Sequence, residues 1–172
     1  MDKKVYGFYD YDDFLDKDYN ICGEDHKRLI KTCCKYSSVV SFIVMNVDET
    51  LLEKLSPFEV PRPENVVYDY SYFAMGKMSN ELCGDKFYRV CDELCELLLE
   101  ITDNIFSWLV GWGYSNPEDP TFYRTDGSMF FTSSIHEGEI VLLPRDDEDV
   151  DDIIAQEGWI EGVRTVIWEE IP

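Results

Sequence analysis

Residues 85–103 read DKFYRVCDELCELLLEITD, and this stretch decides how we expect the rest of the chain to be organised. Its apolar side chains recur at helical spacing with charged side chains between them, which predicts an amphipathic helix with one apolar stripe. The stripe consists of Phe87, Val90, Cys91, Leu94, Leu97, Leu98 and Ile101. We therefore expect a long core helix over residues 85–103, with a sheet packed against its leucine side.

The sequence on both sides of this stretch contains helix, strand and turn signals. Residues 24–36 predict a helix, and the β-branched run 38–45 predicts a buried strand. Asp126-Gly127, between residues 121–125 and 128–135, predicts a hairpin with a type I′ turn, since Asp-Gly readily adopts two positive φ angles. Further helices are predicted over 48–55 and 146–156, and further strands over 66–73, 105–110, 139–143 and 163–171. Residues 5–14 predict an edge strand or an ordered arm.

These elements together predict the fold class. A chain of 172 residues fits one domain, and 45% hydrophobic residues are enough to form a core. We expect a single α+β domain over residues 1–172. It would consist of an antiparallel or mixed sheet with the 85–103 helix packed on one face.

The charge of the chain limits its partners. Acidic residues number 36 against 15 Lys and Arg, which gives a formal net charge of −21. Nucleic acids and anionic membranes would be repelled by such a surface, whereas a basic protein would be attracted. The N-terminal residues lack an apolar signal-peptide core, and no apolar run approaches the roughly 20 residues of a membrane span. We expect a cytoplasmic protein that binds neither nucleic acid nor membrane directly.

The cysteines and the acidic runs are the candidate metal ligands of the sequence. Six cysteines are too sparse for a disulfide scaffold, so we expect free and mostly buried thiols. Zinc is the alternative, if Cys91 and Cys95 meet Cys33 and Cys34 in space. Residues 16–20 imitate the start of a calcium-binding EF-hand loop, but Ile21 replaces its glycine and Lys27 its final glutamate. The sequence predicts no metal site and no cofactor.

A catalytic centre is equally hard to find. His136-Glu137 is an acid–base pair by composition, but it lies where a hairpin turn is predicted, and neighbouring residues on a turn point apart. Phosphate-binding loops of the GxxxxGK[ST] and GxGxxG kinds are absent from the sequence. We therefore predict that the chain is not an enzyme and assign no catalytic residues.

Acidic residues with aromatic residues among them form the candidate binding surface. Residues 145–172 contain ten acids against Arg145 and Arg164, a local net charge of −8. Capping of one helix does not require so many. The predicted partner-binding residues are Tyr9, Asp10, Tyr11, Asp12, Asp146, Asp147, Glu148, Asp149, Asp151, Asp152, Trp159, Trp168, Glu169 and Glu170. The carboxylates would steer a basic partner, and the aromatic side chains would anchor it.

In charge and size the chain resembles the small acidic bacterial immunity proteins and the DNA-mimic inhibitors. That resemblance implies a non-enzymatic inhibitor that covers the basic cleft of a nuclease-like toxin or of another nucleic-acid enzyme. Two alternatives remain. A small enzyme would gather carboxylates in a pocket, and a structural or adaptor subunit would expose a large apolar patch.

Overall fold

An antiparallel sheet of eight strands forms the centre of the computed structural model, which describes residues 4–9, 20–67, 85–111 and 113–162. Within these residues the strands are Tyr6–Tyr9 (β1), Val39–Ile43 (β2), Glu59–Val60 (β3), Asp85–Arg89 (β4), Val110–Gly111 (β5), Tyr114–Ser115 (β6), Glu118–Tyr123 (β7), Met129–Ser134 (β8), Glu139–Leu142 (β9) and Trp159–Glu161 (β10). The strand order of the large sheet is β10-β1-β9-β8-β7-β2-β4-β3, and β5 pairs with β6 separately.

Helices share the main hydrophobic core with one face of the sheet. The described α-helices are Glu24–Tyr36 (α1), Glu49–Leu55 (α2), Asp92–Ile101 (α3) and Asp151–Ile154 (α4). Short 3-10 helices cover Ser56–Phe58, Ile105–Ser107 and Ile135–Glu137. None of the helices in the described part is long and apolar enough to cross a bilayer. The predicted α+β class is confirmed.

The strand register explains why one face of the sheet is a continuous core. Side chains on a strand alternate between the two faces, so directly paired residues form a row across the sheet. The row on the helix side is Tyr88, Val40, Phe122, Phe131, Leu142 and Tyr6. A smaller cluster on the opposite face contains Val5, Val66, Phe87, Tyr123, Met129, Val141 and Leu143.

The predicted helix over residues 85–103 is wrong in its first third. Asp85–Arg89 is a strand, paired with β2 on one side and β3 on the other, and Phe87 and Tyr88 face opposite sides of the sheet. The helix begins at Asp92 and buries Leu94 and Leu98 as predicted. The apolar side chains from Phe87 to Leu94 happen to have helical spacing. Residues 85–89 nevertheless form a strand, because pairing with β2 and β3 satisfies their backbone N–H and C=O groups.

The chain after α3 also differs from the prediction. A strand was expected over residues 105–110, but Ile105–Ser107 is a 3-10 helix that begins with a side-chain cap, Asn104 Oδ1 accepting from the Phe106 N–H at 2.9 Å. The segment that follows contains β6, and Glu118 already belongs to β7. Asparagine competes locally for backbone N–H groups, which favours the turn over an extended strand.

The β7–β8 hairpin is confirmed, but its turn is not type I′. Within the turn residues 124–128 only Gly127 has a positive φ, at +83°. The Arg124 N–H donates to Ser128 O at 2.8 Å and the Gly127 N–H to Arg124 O at 2.9 Å. This pattern is the three-residue loop with a glycine bulge, the next commonest hairpin connection.

The remaining predictions divide into three groups. The helix over 24–36, the helix after Asp48, the strand within 38–45 and the strand after Gly138 are confirmed. The helix expected over 146–156 is limited to Asp151–Ile154, and the strand expected over 5–14 is described for Tyr6–Tyr9. The strand expected over 163–171, and residues 68–73 of the one expected over 66–73, lie outside the described residues.

Candidate partner-binding surface

The acidic loop, defined here as residues 145–150, connects β9 to α4. Its backbone closes on itself, because the Glu148 N–H donates to Arg145 O at 3.0 Å and the Arg145 N–H donates to Glu148 Oε2 at 2.7 Å. The Asp149 N–H donates to the Tyr36 hydroxyl at 2.9 Å, which ties the loop to α1. The loop is therefore closed by its own hydrogen bonds and held against α1.

A buried ion pair anchors the acidic loop to the sheet. Arg124 Nε and Nη2 each lie 2.6 Å from a Glu148 carboxylate oxygen, and the two side chains are only 7% and 8% exposed. The other guanidinium donors reach Leu143 O at 2.6 Å, Met129 O, and Ser128 Oγ at 3.3 Å. All five N–H groups of Arg124 are thus used.

Glu148 therefore has a structural role that its neighbours in the loop do not share. Burial acts to raise the pKa of Glu148, but the hydrogen bonds from Arg124 and from the Arg145 N–H outweigh burial and bring this pKa below its usual value. The carboxylate stays ionised and bound to the arginine. Glu148 is one of the predicted partner-binding residues, but its carboxylate is buried against Arg124 rather than exposed.

The other acids of this region are exposed. They are Asp146, Asp147, Asp149, Asp151 and Asp152. Among the described residues no ion pair joins any of these five carboxylates to a cation. Arg28 approaches the region, but its Nη1 donates to the Asp152 carbonyl oxygen at 3.2 Å and to Asp25 Oδ1 at 2.9 Å. Five negative charges are left available to a partner.

A groove of about 360 Å³ runs beside the acidic loop. Lys4, Tyr6 and Pro144 line it together with the loop and Asp151. Sequence reasoning did not identify Lys4 or Tyr6 as part of this surface, since nothing local indicates that the start of β1 lies beside residues 145–150. Glu161 was missed for the same reason: it pairs with Tyr6 and extends the acidic surface along β10.

Of the predicted aromatic anchors, Trp159 and Tyr9 lie in the described part of the chain, and neither lies on the acidic loop. Trp159 is half-buried, and its ring meets Phe8 edge-on at 5.5 Å between centroids, so it packs at the edge of the core. Tyr9 pairs with Glu139, at the end of β9 away from the acidic loop, about 10 Å from Tyr6 at 3.3 Å per residue. The structure does not bring Tyr9 to the loop.

The rest of the predicted surface lies outside the described residues. This applies to Asp10, Tyr11, Asp12, Trp168, Glu169 and Glu170. The imitation of a calcium loop at residues 16–20 also falls there, apart from Asn20.

The acid–base pair that the structure describes is His136 with Glu118, whereas the sequence suggested His136 with Glu137. His136 Nε2 lies 3.2 Å from Glu118 Oε2, while Glu118 Oε1 accepts from the Val110 N–H at 3.1 Å. Burial raises the pKa of Glu118 above its usual value. Glu118 thus links β7 to the turn before β9 through His136, and to β5 through the Val110 N–H. This is a structural role.

The structure does bring together the cysteines considered for zinc. Cys34 on α1 and Cys91 and Cys95 at α3 line one open cavity of about 550 Å³, and Cys33 is buried nearby in the core. Yet the described residues contain no group of three or more His, Cys, Asp or Glu arranged to hold a metal ion. All five cysteines in the described part of the chain are free thiols.

Comparisons with known proteins give no family for this chain. No protein-family model, no curated protein and no solved structure matches it.

Proposed function

We propose that this chain is a non-enzymatic acidic binding protein of the immunity or inhibitor type. It would neutralise a basic nuclease-like toxin, or another nucleic-acid enzyme, by covering its cleft. The observation that supports the proposal is the set of five exposed carboxylates at residues 146–152, on a segment anchored by the buried Arg124–Glu148 pair.

The anchoring matters because a rigid surface binds with a smaller loss of conformational entropy. Like charges repel one another, and an unconstrained acidic segment would spread its carboxylates apart. Here the Arg145–Glu148 backbone bond, the Tyr36 contact and Arg124 fix the segment before any partner arrives. The carboxylates of Asp147 and Asp149 are thus presented from a fixed backbone.

The chemistry of the surface indicates the class of partner. A cleft that binds nucleic acid carries Lys and Arg for the phosphates, and the same cations form charge-assisted hydrogen bonds with carboxylates. The groove beside Tyr6 and Pro144 gives one such side chain a place to insert. The net charge of −21 adds long-range attraction to a basic partner.

The adaptor alternative receives less support from the described residues. Their large exposed apolar side chains are four, Met45, Val67, Tyr114 and Ile160. A subunit that assembles through an apolar interface presents a large contiguous patch, which needs more apolar side chains than these.

The test is capture followed by inhibition. The immobilised wild-type chain is expected to capture a basic nucleic-acid enzyme from cells that produce the protein, and the purified chain is expected to inhibit that enzyme's activity. The matched control is the chain with Asp147, Asp149 and Asp152 all changed to Lys, which is expected to lose capture while keeping the wild-type circular dichroism spectrum. An acidic captured partner, or a captured enzyme that stays fully active, would contradict the proposal.

A further inference from the structure

A second feature of the molecule is independent of the acidic loop: a group of thiols between α1 and α3. Cys34 lies on α1, and Cys95 lies on α3, one turn after Cys91. The thiols of Cys34 and Cys95 are hydrogen-bonded to each other. Free cysteines usually behave as small buried hydrophobic residues. Cys34 is partly exposed and Cys95 is buried, but both line a cavity that opens to solvent.

The cavity has the size of a small-molecule site. Its volume of about 550 Å³ lies within the common range for such sites, roughly 300–1,000 Å³. Lys31 and Lys35 contribute positive charge to its walls, while Asp92 and Glu96 contribute negative charge. Mixed charge of this kind suits a zwitterionic peptide-like molecule.

The two thiols are chemically unequal. Cys34 donates its S–H to Cys95, and this hydrogen bond brings the pKa of Cys95 below its usual value. Burial and the Glu96 carboxylate oppose the lowering, and Lys31 adds a smaller lowering effect. The same hydrogen bond and burial raise the pKa of Cys34. Burial also raises the pKa of Cys33, which has no exposed surface. Cys95 is thus the attacking thiolate and Cys34 the second thiol.

We propose that Cys95 and Cys34 form a thiol–disulfide exchange site for a low-molecular-weight disulfide that enters the cavity. The Cys95 thiolate attacks one sulfur of the disulfide RSSR, whose S–S bond breaks to give Cys95–S–S–R and one thiolate RS⁻. Cys34 then attacks Cys95 Sγ, forms the Cys34–Cys95 disulfide and expels the second RS⁻. The two protein thiols are oxidised, RSSR is reduced, and their two protons end on two molecules of RSH.

The product would link α1 to α3, two helices that pack against each other in the core. The pairing joins elements far apart in sequence, so the disulfide restricts the unfolded chain more than a local one would. Oxidation is therefore expected to raise the midpoint of thermal unfolding, and a reductant is expected to restore the original value.

The experiment uses the full chain with Cys22 and Cys83 changed to Ser, which leaves the thiols Cys33, Cys34, Cys91 and Cys95. The reduced protein is incubated with oxidised glutathione, alkylated, digested and analysed by mass spectrometry. The expected product is an intramolecular Cys34–Cys95 disulfide. Cys34→Ser is expected to stop the reaction at a glutathione adduct on Cys95, and Cys95→Ser is expected to give neither product.

Two further variants separate this chemistry from general thiol reactivity. Cys91→Ser is expected to form the Cys34–Cys95 disulfide as the parent chain does. Cys34→Ala removes the hydrogen-bond donor that Cys34→Ser retains, so its adduct on Cys95 is expected to form about 3–10-fold more slowly at pH 7. Circular dichroism confirms that each variant is folded.

Several results would overturn the proposal. One is a Cys95 that stays unmodified while a free-cysteine peptide reacts under the same conditions. Another is a bridge that forms between a different pair of cysteines. A third is an equal rate of adduct formation in the Cys34→Ser and Cys34→Ala variants.

Discussion

The Arg124–Glu148 pair shows how much one buried contact contributes to the acidic loop. An arginine that loses its only carboxylate partner inside a protein is left as an uncompensated charge. Glu148→Gln is therefore expected to lower the free energy of unfolding by about 3–5 kcal/mol in chemical denaturation. Asp147→Asn removes the same formal charge from an exposed position and is expected to change it by less than about 0.5 kcal/mol.

The unfolding free energies of these two variants are also expected to depend differently on pH. The folded-state pKa of Glu148 is lowered, so its ionisation stabilises the protein fully above the ordinary glutamate pKa of about 4.3. That contribution is lost as the pH falls further, through the folded-state value. The cost of Glu148→Gln relative to wild type should shrink over this range. Equal costs for Glu148→Gln and Asp147→Asn at neutral pH would mean that the pair does not anchor the loop.

His26 gives a second residue-level prediction. Its ring is fully buried, its Nε2 accepts from the Trp108 indole N–H at 3.1 Å, and burial lowers its pKa to about 4. The unfolded chain takes up this proton near pH 6.5 and the folded chain only near pH 4, so the histidine costs stability as the pH falls between these values. The loss approaches about 3 kcal/mol.

The measurement compares the wild type with His26→Gln, whose amide oxygen is able to accept from Trp108. Between pH 7 and pH 4.5 the free energy of unfolding is expected to fall more for the wild type than for the variant. His136→Gln is the control, because it replaces a half-exposed histidine with the same residue. Identical pH dependence of the wild type and His26→Gln would contradict the assignment of a neutral buried histidine.

At the level of elements, α3 tests which part of the 85–103 stretch is helical. Leu98 is fully buried and Glu96 is exposed on the opposite side of the helix. Leu98→Ala is expected to cost about 2–5 kcal/mol of unfolding free energy, as buried leucine truncations do. Glu96→Ala is expected to cost less than about 0.5 kcal/mol. Denaturant unfolding curves in the reverse order would show that the phase of the helix is wrong.

The β7–β8 hairpin offers a test of its glycine turn. At Gly127 a Cβ atom would lie 1.9 Å from the Asn65 carbonyl oxygen, whereas at Gly113 it would have no atom of another described residue, apart from its chain neighbours, within 4 Å. Both glycines have positive φ, at +83° and +92°. Gly113→Ala should thus carry only the conformational cost of about 1–2 kcal/mol.

Gly127→Ala carries the same conformational cost plus the clash with Asn65, so it is expected to be the more destabilising of the two by at least about 1 kcal/mol. Thermal unfolding monitored by circular dichroism measures the difference. Equal destabilisation would indicate that the segment around Asn65 does not pack on the turn.

At the level of the whole molecule, charge should determine how fast the proposed partner is bound. Long-range attraction acts on the encounter, so the triple change of Asp147, Asp149 and Asp152 to Lys is expected to slow association about 10–100-fold at low ionic strength. The difference should shrink as the Debye length falls toward about 8 Å at 0.15 M salt. Stopped-flow binding to the captured enzyme measures both effects.

The control changes Glu49, Glu53 and Glu64 to Lys, three exposed acids near α2 and β3, which is the other edge of the sheet. It alters the net charge by the same amount. Smaller slowing in this control would place the encounter surface at residues 146–152. Equal slowing by both sets, or unchanged association kinetics in the first, would contradict that placement.

The sequence by itself determined the features that depend on neighbouring residues. The apolar period of 92–101, the helix after Asp48, the β-branched run of β2 and the Asp-Gly turn between β7 and β8 are local, and each was predicted, although the turn is not of the predicted type. The acidity of residues 146–152 is also local. The predictions at 85–89 and 105–107 were wrong because pairing with β2 and β3, and the side chain of Asn104, overrode the local pattern.

Only the tertiary structure decided which distant residues meet. Arg124 and Glu148 are separated by 24 residues, yet they hold the acidic loop; Cys34 and Cys95 share a cavity although they lie on different helices. Tyr6 and Tyr9 look equivalent in sequence, but the register of β1 with β9 puts Tyr6 beside the loop and Tyr9 at the far end. The physical reason is that strand register and helix docking are set by burial summed over the whole sheet, which no short segment encodes.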